Sequence, residues 1–350
     1  MNCSGSFQQD KIPVVKILVD HDSPFWLAHG GIQVQIEQTL AALKAIGVEA
    51  EPLRWWDDRQ DADLIHFFGR APTPYIQMAH AKGIPVVMSV LLSGTGARPR
   101  SALAAQAAVI GTARKLFPSR LLARFGWESY RAADAIILST PWEALIAQRV
   151  FGAPARKTHV LSNGVEDAYL KSVPAVRGPW LLCVGRITAI KRTLEVAQAA
   201  AIARTPVWFI GRPMFETDPY ALQFFEFVRR QPEGMRHTSF LTLAELAQAY
   251  REARGFVLLS KWETLSLAAL EAAACGCPVL LADLPWAHGY FGDLATYCPP
   301  KAGSEETATV LRRFYDNAPT RPAPPRPLSW PSVTKQLKGI YEQVLSAKNR

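Results

Sequence analysis

The apolar residues of this chain fall into short runs separated by longer segments of helical periodicity. The first run, VVKILVD at residues 14–20, is continuous and of strand length, as expected of a strand buried on both faces. A loop ending in His29-Gly30-Gly31 leads into GIQVQIEQTLAALKAIG. There Ile32, Ile36, Leu40, Leu43 and Ile46 recur at helical spacing and Gly47 falls where a C-terminal cap is expected. The runs DLIHFF, PVVMSV, DAIILST and KTHVLS, spaced by helix-like segments or loops, predict a parallel sheet covered on both faces.

A second series follows the weakly patterned stretch around residues 171–179. WLLCVGR, PVWFIG, GFVLLS and PVLLAD read as strands, with LEVAQAAAIAR, LAELAQAYREA and LSLAALEAAAC as helices among them. Two α/β domains in tandem are expected, over residues 1–172 and 173–325. Residues 318–328 hold five prolines and read as a surface connector. The remainder, 326–350, carries an amphipathic helix over residues 331–347 with Val333, Leu337, Ile340, Tyr341 and Leu345 on one side. That helix needs something to pack on. No internal repeat is evident beyond the β/α rhythm.

Composition narrows the class. At 350 residues, 49% hydrophobic and 20% charged, the chain is globular and long enough for two cores, which excludes a disordered or collagenous protein. Five cysteines, at 3, 183, 275, 277 and 298, form neither a disulfide framework nor a C-x-x-C zinc pattern, so a reducing, cytoplasmic setting is expected. The N-terminus MNCSGSFQQDK has no apolar signal core. The most apolar stretch, 265–282, is broken by Ser266, Glu271 and Pro278, so neither secretion nor a membrane span is expected. The net charge of +9 favours acidic partners. No Lys/Arg run or RNP-type signature accompanies it, so nucleic acid is not expected.

Candidate chemistry concentrates in SKWETLSLAALEAAACGCPVLLAD, where a strand-to-helix junction falls at the carboxyl end of a parallel strand. Glu263 sits at the junction and Glu271 within the helix. Eight residues at a rise of ~1.5 Å separate the two carboxylates by about 12 Å, close to the span from ribose to sugar in a nucleotide diphosphate sugar. The N–H groups of Thr264, Leu265 and Ser266 at the expected helix start form an anion site between them. Glu271 lies in an otherwise apolar run, where an ionised carboxylate needs partners. In GRITAIK, Arg186 follows a strand and Lys191 is expected to open the next helix. Such a pair of cations suits a diphosphate leaving group. Cys275 and Cys277 have no basic neighbour in sequence and read as core thiols. The D-x-D matches at 20–22 and 61–63 occur in unrelated contexts and are read as chance, so no metal is expected.

The order of a Gly-Gly turn after the first strand, SNGVE near mid-chain, GR-x4-K, then E-x7-E with EAAACGCPV resembles the retaining glycosyltransferases of family 4, over nearly the whole chain. The resemblance implies a GT-B fold: two Rossmann-like domains facing a cleft, the donor held mainly by the second, the acceptor mainly by the first, and the final helix crossing back. By position, Arg186 and Lys191 resemble the diphosphate-binding pair, Glu271 the ribose ligand and Glu263 the residue near the donor sugar. Gly30 and Gly31 resemble the loop approaching the phosphate or acceptor. Retention in such enzymes, by attack on the face the phosphate leaves, requires no protein nucleophile and no cofactor.

Three positions depart from the family. PVVMSVLLSGTG lacks the histidine many members carry there, for which His66 is the candidate substitute. ETLSL replaces a glycine-rich stretch, and Glu166 stands where Asp is usual. Between Arg98 and Arg131 seven Arg/Lys face one acid, Glu128. After Pro118, Arg120, Arg124 and Arg131 are expected on one helical face, suited to an anionic membrane surface. The sequence thus reads as a hexose-transferring enzyme using a nucleotide diphosphate-sugar and a glycan or lipid-linked acceptor, cytoplasmic or at the inner membrane face. The alternatives are an epimerase or hydrolase on the same scaffold, or a non-catalytic nucleotide-sugar-binding subunit. Neither domain shows the G-x-G-x-x-G of a dinucleotide-dependent oxidoreductase.

Overall fold

The computed structural model describes residues 15–22, 25, 30–171, 173 and 175–348. Cys3, Val14, His29 and residue 172, which touch on the cysteine count, the first strand, the glycine loop and the domain boundary, lie outside the described residues. Among those described, the strands form two six-stranded sheets, parallel throughout. The first contains β1 (Lys16–His21), β2 (Glu49–Pro52), β3 (Leu64–Phe68), β4 (Val86–Ser89), β5 (Ala135–Leu138) and β6 (Thr158–Val160), in the order β2-β1-β3-β4-β5-β6. The second contains β7 (Leu181–Val184), β8 (Val207–Ile210), β9 (Met235–Thr238), β10 (Gly255–Leu258), β11 (Val279–Ala282) and β12 (Thr296–Cys298), in the order β12-β11-β10-β7-β8-β9. Every residue of β3, β4, β5, β10 and β11 is buried, the consequence of helices on both faces.

The strand order reverses between β1 and β3 in one sheet and between β7 and β10 in the other. At such a point the crossing helices diverge and leave a crevice beyond the carboxyl ends of the strands. Gly30-Gly31 follows β1, Arg186 follows β7 and Glu263 follows β10, so the topology delivers all three motifs to crevices.

The final helix, Trp330–Lys348, finds its surface on the first half. Val333, Leu337, Ile340 and Tyr341 share one buried cluster with Ile17, Val19, Ile36 and Leu43. At roughly 1.5–3 kcal/mol per buried side chain, those four contribute about 6–12 kcal/mol before ordering entropy is subtracted. The SNGVE loop anchors the start of this helix. Val165 bridges Ser329, and a Cβ on Gly164 would lie 2.6 Å from Trp330 Cα, so only glycine fits.

The basic stretch differs from expectation. Arg100–Leu116 is one helix, but Ser119–Leu122, Gly126–Glu128 and Ser129–Ala132 are separate turns, so Arg120, Arg124 and Arg131 share no continuous helical face. Arg131 instead lies 3.9 Å from Glu128. Among the described residues, no helix is long and apolar enough to cross a membrane.

Candidate active site

β7 ends in Gly185 at φ 148°, and a Cβ on the neighbouring Gly211 would fall 2.0 Å from the Gly185 carbonyl oxygen. The two strand ends therefore close together only with glycine at 211, and Arg186 emerges beside them. Its guanidinium crosses to the other half of the molecule: a Cβ on Gly30 would sit 3.0 Å from Nη2. Lys191 does not open the next helix as expected. The Lys191 amide bonds the Thr188 carbonyl at 3.0 Å, Arg192 takes a left-handed φ of 56°, and the helix begins only at Thr193. Arg192 is held there by its guanidinium, which donates to the carbonyls of Pro300 and Ala302 at 3.0 and 3.1 Å. Lys191 thus stands in a turn, with its ammonium ion-paired to Glu263. Ser260 Oγ donates to the same carboxylate at 3.3 Å.

The expected anion site at Thr264, Leu265 and Ser266 also shifts. The helix spans Leu267–Ala274, with Ser266 as its N-cap accepting from the Ala269 amide at 3.4 Å. Serine is a strong N-cap, so the helix starts after it. Thr264, Leu265 and Ser266 are buried loop residues, and the first-turn amides belong to residues 267–269. Glu263 therefore precedes the helix, and the rise per residue does not set its distance from Glu271. Gly31, the first residue of the helix Gly31–Ala45, faces this turn: a Cβ there would lie 3.8 Å from Leu267 Cδ1. The positive ends of two helices and one guanidinium thus converge on one cleft.

Glu271 is partly enclosed by the second core. Tyr250 donates to its Oε2 at 3.2 Å, and burial, aided by the nearby Glu166 charge, pushes its carboxyl up to about 7. Glu166 in turn accepts from Gln38 of the first half at 2.5 Å. His66 does not reach the cleft, contrary to its candidacy. It is 1% exposed, lies 2.6 Å from Tyr341 Oη and 2.7 Å from Ser89 Oγ, and burial pushes it down to about 3. It is a neutral fastener between sheet and final helix.

One residue escaped the sequence reading. Leu92, Gly96, Trp142 and Glu143 of the first half line a narrow cavity with Glu263 and Trp286 of the second. Glu143 is 2% exposed, accepts from the Leu92 amide at 2.8 Å and from Thr140 Oγ1 at 3.3 Å, and is pushed up by burial. Thr140-x-x-Glu143 at the start of the helix Pro141–Arg149, where the Thr140 side chain accepts from the Glu143 amide, is the signal that could have found it. Cys183, Cys275 and Cys277 are raised by burial to about 12, 11 and 12. Of the D-x-D pairs, Asp20 accepts from Tyr75 Oη at 2.8 Å, while Asp61 and Asp63 both bind Lys16. Among the described residues, no group of three or more His, Cys, Asp or Glu is placed to hold a metal ion.

Two facing α/β halves with a terminal helix returning to the first constitute a GT-B fold. Residues 25–164 match the family model for a glycosyl transferase 4-like domain, and residues 178–317 that for glycosyl transferases group 1. The chain belongs to the glycosyltransferases of family 4. Curated relatives include D-inositol 3-phosphate glycosyltransferase 1 of Catenulispora acidiphila, 27% identical over 60% of this chain and 50% of its own length. The D-inositol 3-phosphate glycosyltransferase of Streptosporangium roseum is 28% identical over 60% of this chain and 55% of its own length. The chain therefore spans about half the length of these relatives. Similar solved structures include Anabaena HepE in complex with UDP and glucose, at TM-score 0.61 and 15% identity over 94% of this chain and 99% of that one. Sucrose-phosphate synthase from Thermosynechococcus elongatus gives TM-score 0.65 at 15% identity, over 95% and 100%.

Proposed function

We propose that this chain is a retaining, metal-independent glycosyltransferase that moves a hexose from a nucleotide diphosphate-sugar to a glycan or lipid-linked acceptor. The observation carrying the reading is that the Lys191–Glu263 ion pair and Arg186 both follow the strands flanking the switch point of the second sheet, with Arg186 against Gly30 and Leu267 against Gly31. Arg186 and Lys191 neutralise the diphosphate as it departs, the role a divalent cation would otherwise fill. Lys191 exchanges its bond to Glu263 for the diphosphate, which frees the Glu263 carboxylate to face the donor sugar. Glu271 receives the ribose diol, whose two hydroxyls supply donors that its buried carboxylate needs. The leaving phosphate accepts the proton of the attacking hydroxyl on the same face, so configuration is kept without a protein nucleophile. The buried thiols, raised well above neutral pH, are poor nucleophiles.

UDP-sugars are the first donors to test, given the UDP complex of the Anabaena neighbour. The reading also places the enzyme at the inner membrane face in polysaccharide assembly. Its support is an exposed strip of Leu116, Phe117, Leu121 and Phe125 among Lys115, Arg120 and Arg124. Thermal shift across UDP-, GDP-, ADP- and dTDP-sugars identifies the donor, because a ligand stabilises only what it binds. Acceptor-dependent product with retained anomeric configuration then tests transfer. Donor turnover without any acceptor product would favour a hydrolase or epimerase, and binding without turnover a non-catalytic subunit.

A further inference from the structure

A groove opens on the first half between the helices Arg100–Leu116 and Pro141–Arg149, lined by Leu103, Ala107, Trp142 and Ile146 with Arg100 and Arg149. Its floor is apolar: Leu103 is 6% exposed and Ile146 2%. Alanines at 104 and 107 leave it open where larger side chains would fill it. Among the described residues lining it, none is acidic and two are arginines. Such a channel matches an aliphatic chain joined to an anionic group, and matches neither a free sugar nor a cation.

A single side chain, Trp142, separates the groove from the cleft. Trp142 borders both the groove and the narrow cavity shared with Glu263. It is fixed by a 2.9 Å bond from its Nε1 to the Gly96 carbonyl, and the Arg100 guanidinium stacks over its ring at 5.9 Å. Arg100 therefore marks the cleft end of the groove. Arg149 lies seven residues along the helix from Trp142, ~10 Å further on.

Resting on the transfer reading above, we propose that this groove holds the chain of a phosphate-linked lipid that carries the acceptor. Its phosphate lies on Arg100, its chain runs over Leu103, Ala107 and Ile146, and its glycosyl end is presented past Trp142 to the cavity at Glu263.

The test uses farnesyl phosphate, a single chain with one phosphate, against farnesol and inorganic phosphate, by titration calorimetry on the full chain. Ala107→Phe blocks the groove, and Arg100→Glu reverses the charge without touching the floor. Each is expected to weaken farnesyl phosphate at least tenfold, while farnesol and inorganic phosphate each bind wild type at least tenfold more weakly than farnesyl phosphate. UDP titrated into the same preparations reports folding and the donor site. Farnesyl phosphate failing to bind a wild type that binds UDP, or binding both variants as tightly as wild type, or farnesol binding equally well, would overturn the assignment. Loss of all nucleotide diphosphate binding with farnesyl phosphate binding intact would instead overturn the transfer reading and spare the groove.

Discussion

Gly30 and Arg186 meet across the cleft, with the guanidinium 3.0 Å from where a Cβ on Gly30 would stand. The backbone of Gly30 is extended, at φ 164°, so alanine is conformationally free there and the conflict is with Arg186 alone. Arg186 is exposed and can swing aside. Gly30→Ala is therefore expected to leave Tm within about 2 °C while lowering kcat/KM about tenfold, ~1.4 kcal/mol of transition-state stabilisation. Thermal melts beside steady-state kinetics check it, and a large loss of Tm with unchanged kcat/KM would refute it.

In the proposed transfer Arg186 and Lys191 act on one leaving group, so their effects are expected not to add. Each alanine variant should lose on the order of 100-fold in kcat/KM, and the double variant much less than the product of the two. Lys191 has a further role in the ion pair with Glu263. Glu263→Gln weakens that hold and is expected to tighten the bare nucleoside diphosphate several-fold while lowering kcat. Calorimetry with UDP and initial rates with the donor sugar separate the two effects.

The placement of Gly30-Gly31, Arg186 and Glu263 after strands was legible because a glycine turn, a cation and an acid follow apolar runs, and Glu271 was legible as the one acid of an apolar helix. The apolar strands β1, β3, β4, β5, β7, β8, β10 and β11 were legible for the same reason that they are buried. β2, with sequence EAEP, was not: as an edge strand it has one neighbour and a half-exposed surface, so no apolar run marks it. β9 (MRHT) and β12 (TYC) are the remaining strands of the second sheet that went unread, again at its edges. The helix starts at 193 and 267 were misplaced because a left-handed Arg192 and the Ser266 cap are settled by local hydrogen bonds that apolar periodicity does not report. Glu143 was missed because its partner, the Leu92 amide, is 51 residues away.

In the proposed reading Glu271 takes the ribose diol, which makes donor binding depend on pH. Its carboxyl, held near 7 by burial, must be ionised to accept the ribose diol. Below pH 7 the free protein carries a proton that binding expels, so nucleotide affinity should fall about tenfold per pH unit and level off above pH 7–8. Glu271→Gln removes that slope and binds weakly at all pH. Folding responds in the opposite sense: a carboxyl raised above its ordinary value contributes stability below that value, and this is lost as pH rises toward 7. Glu271→Gln is thus expected to raise Tm at pH 8 and not at pH 4.5. Melts at the two pH values, paired with UDP titrations, decide it.

The exposed strip beside Arg120 and Arg124 predicts binding to anionic vesicles. Phe117→Ala with Phe125→Ala should weaken adsorption through lost apolar insertion, and Arg120→Glu with Arg124→Glu through lost charge attraction of ~1 kcal/mol per residue. The charge contribution screens with salt and the apolar one does not. Sedimentation with phosphatidylglycerol vesicles at low and high salt distinguishes them, and adsorption unaltered by both pairs would refute the surface.

His66 couples the final helix to the first sheet, because its ring is shared between Tyr341 and Ser89. Its folded value near 3 lies below its ordinary value of 6.5. A base depressed in this way contributes stability above 6.5 that is lost as pH falls toward 3, since only the unfolded chain takes up the proton. Acid should therefore loosen the first half between those limits. His66→Ala leaves two buried hydroxyls short of a partner and a cavity behind, a loss of roughly 2–4 kcal/mol, and should flatten the acid dependence between pH 6.5 and 3. His66→Asn keeps one hydrogen bond without a titrating group and is expected to recover part of the stability with the same flat profile. Denaturant unfolding at pH 7.5 and 5 on the three proteins reads both quantities; an acid slope surviving in the asparagine variant would assign the titration to another group.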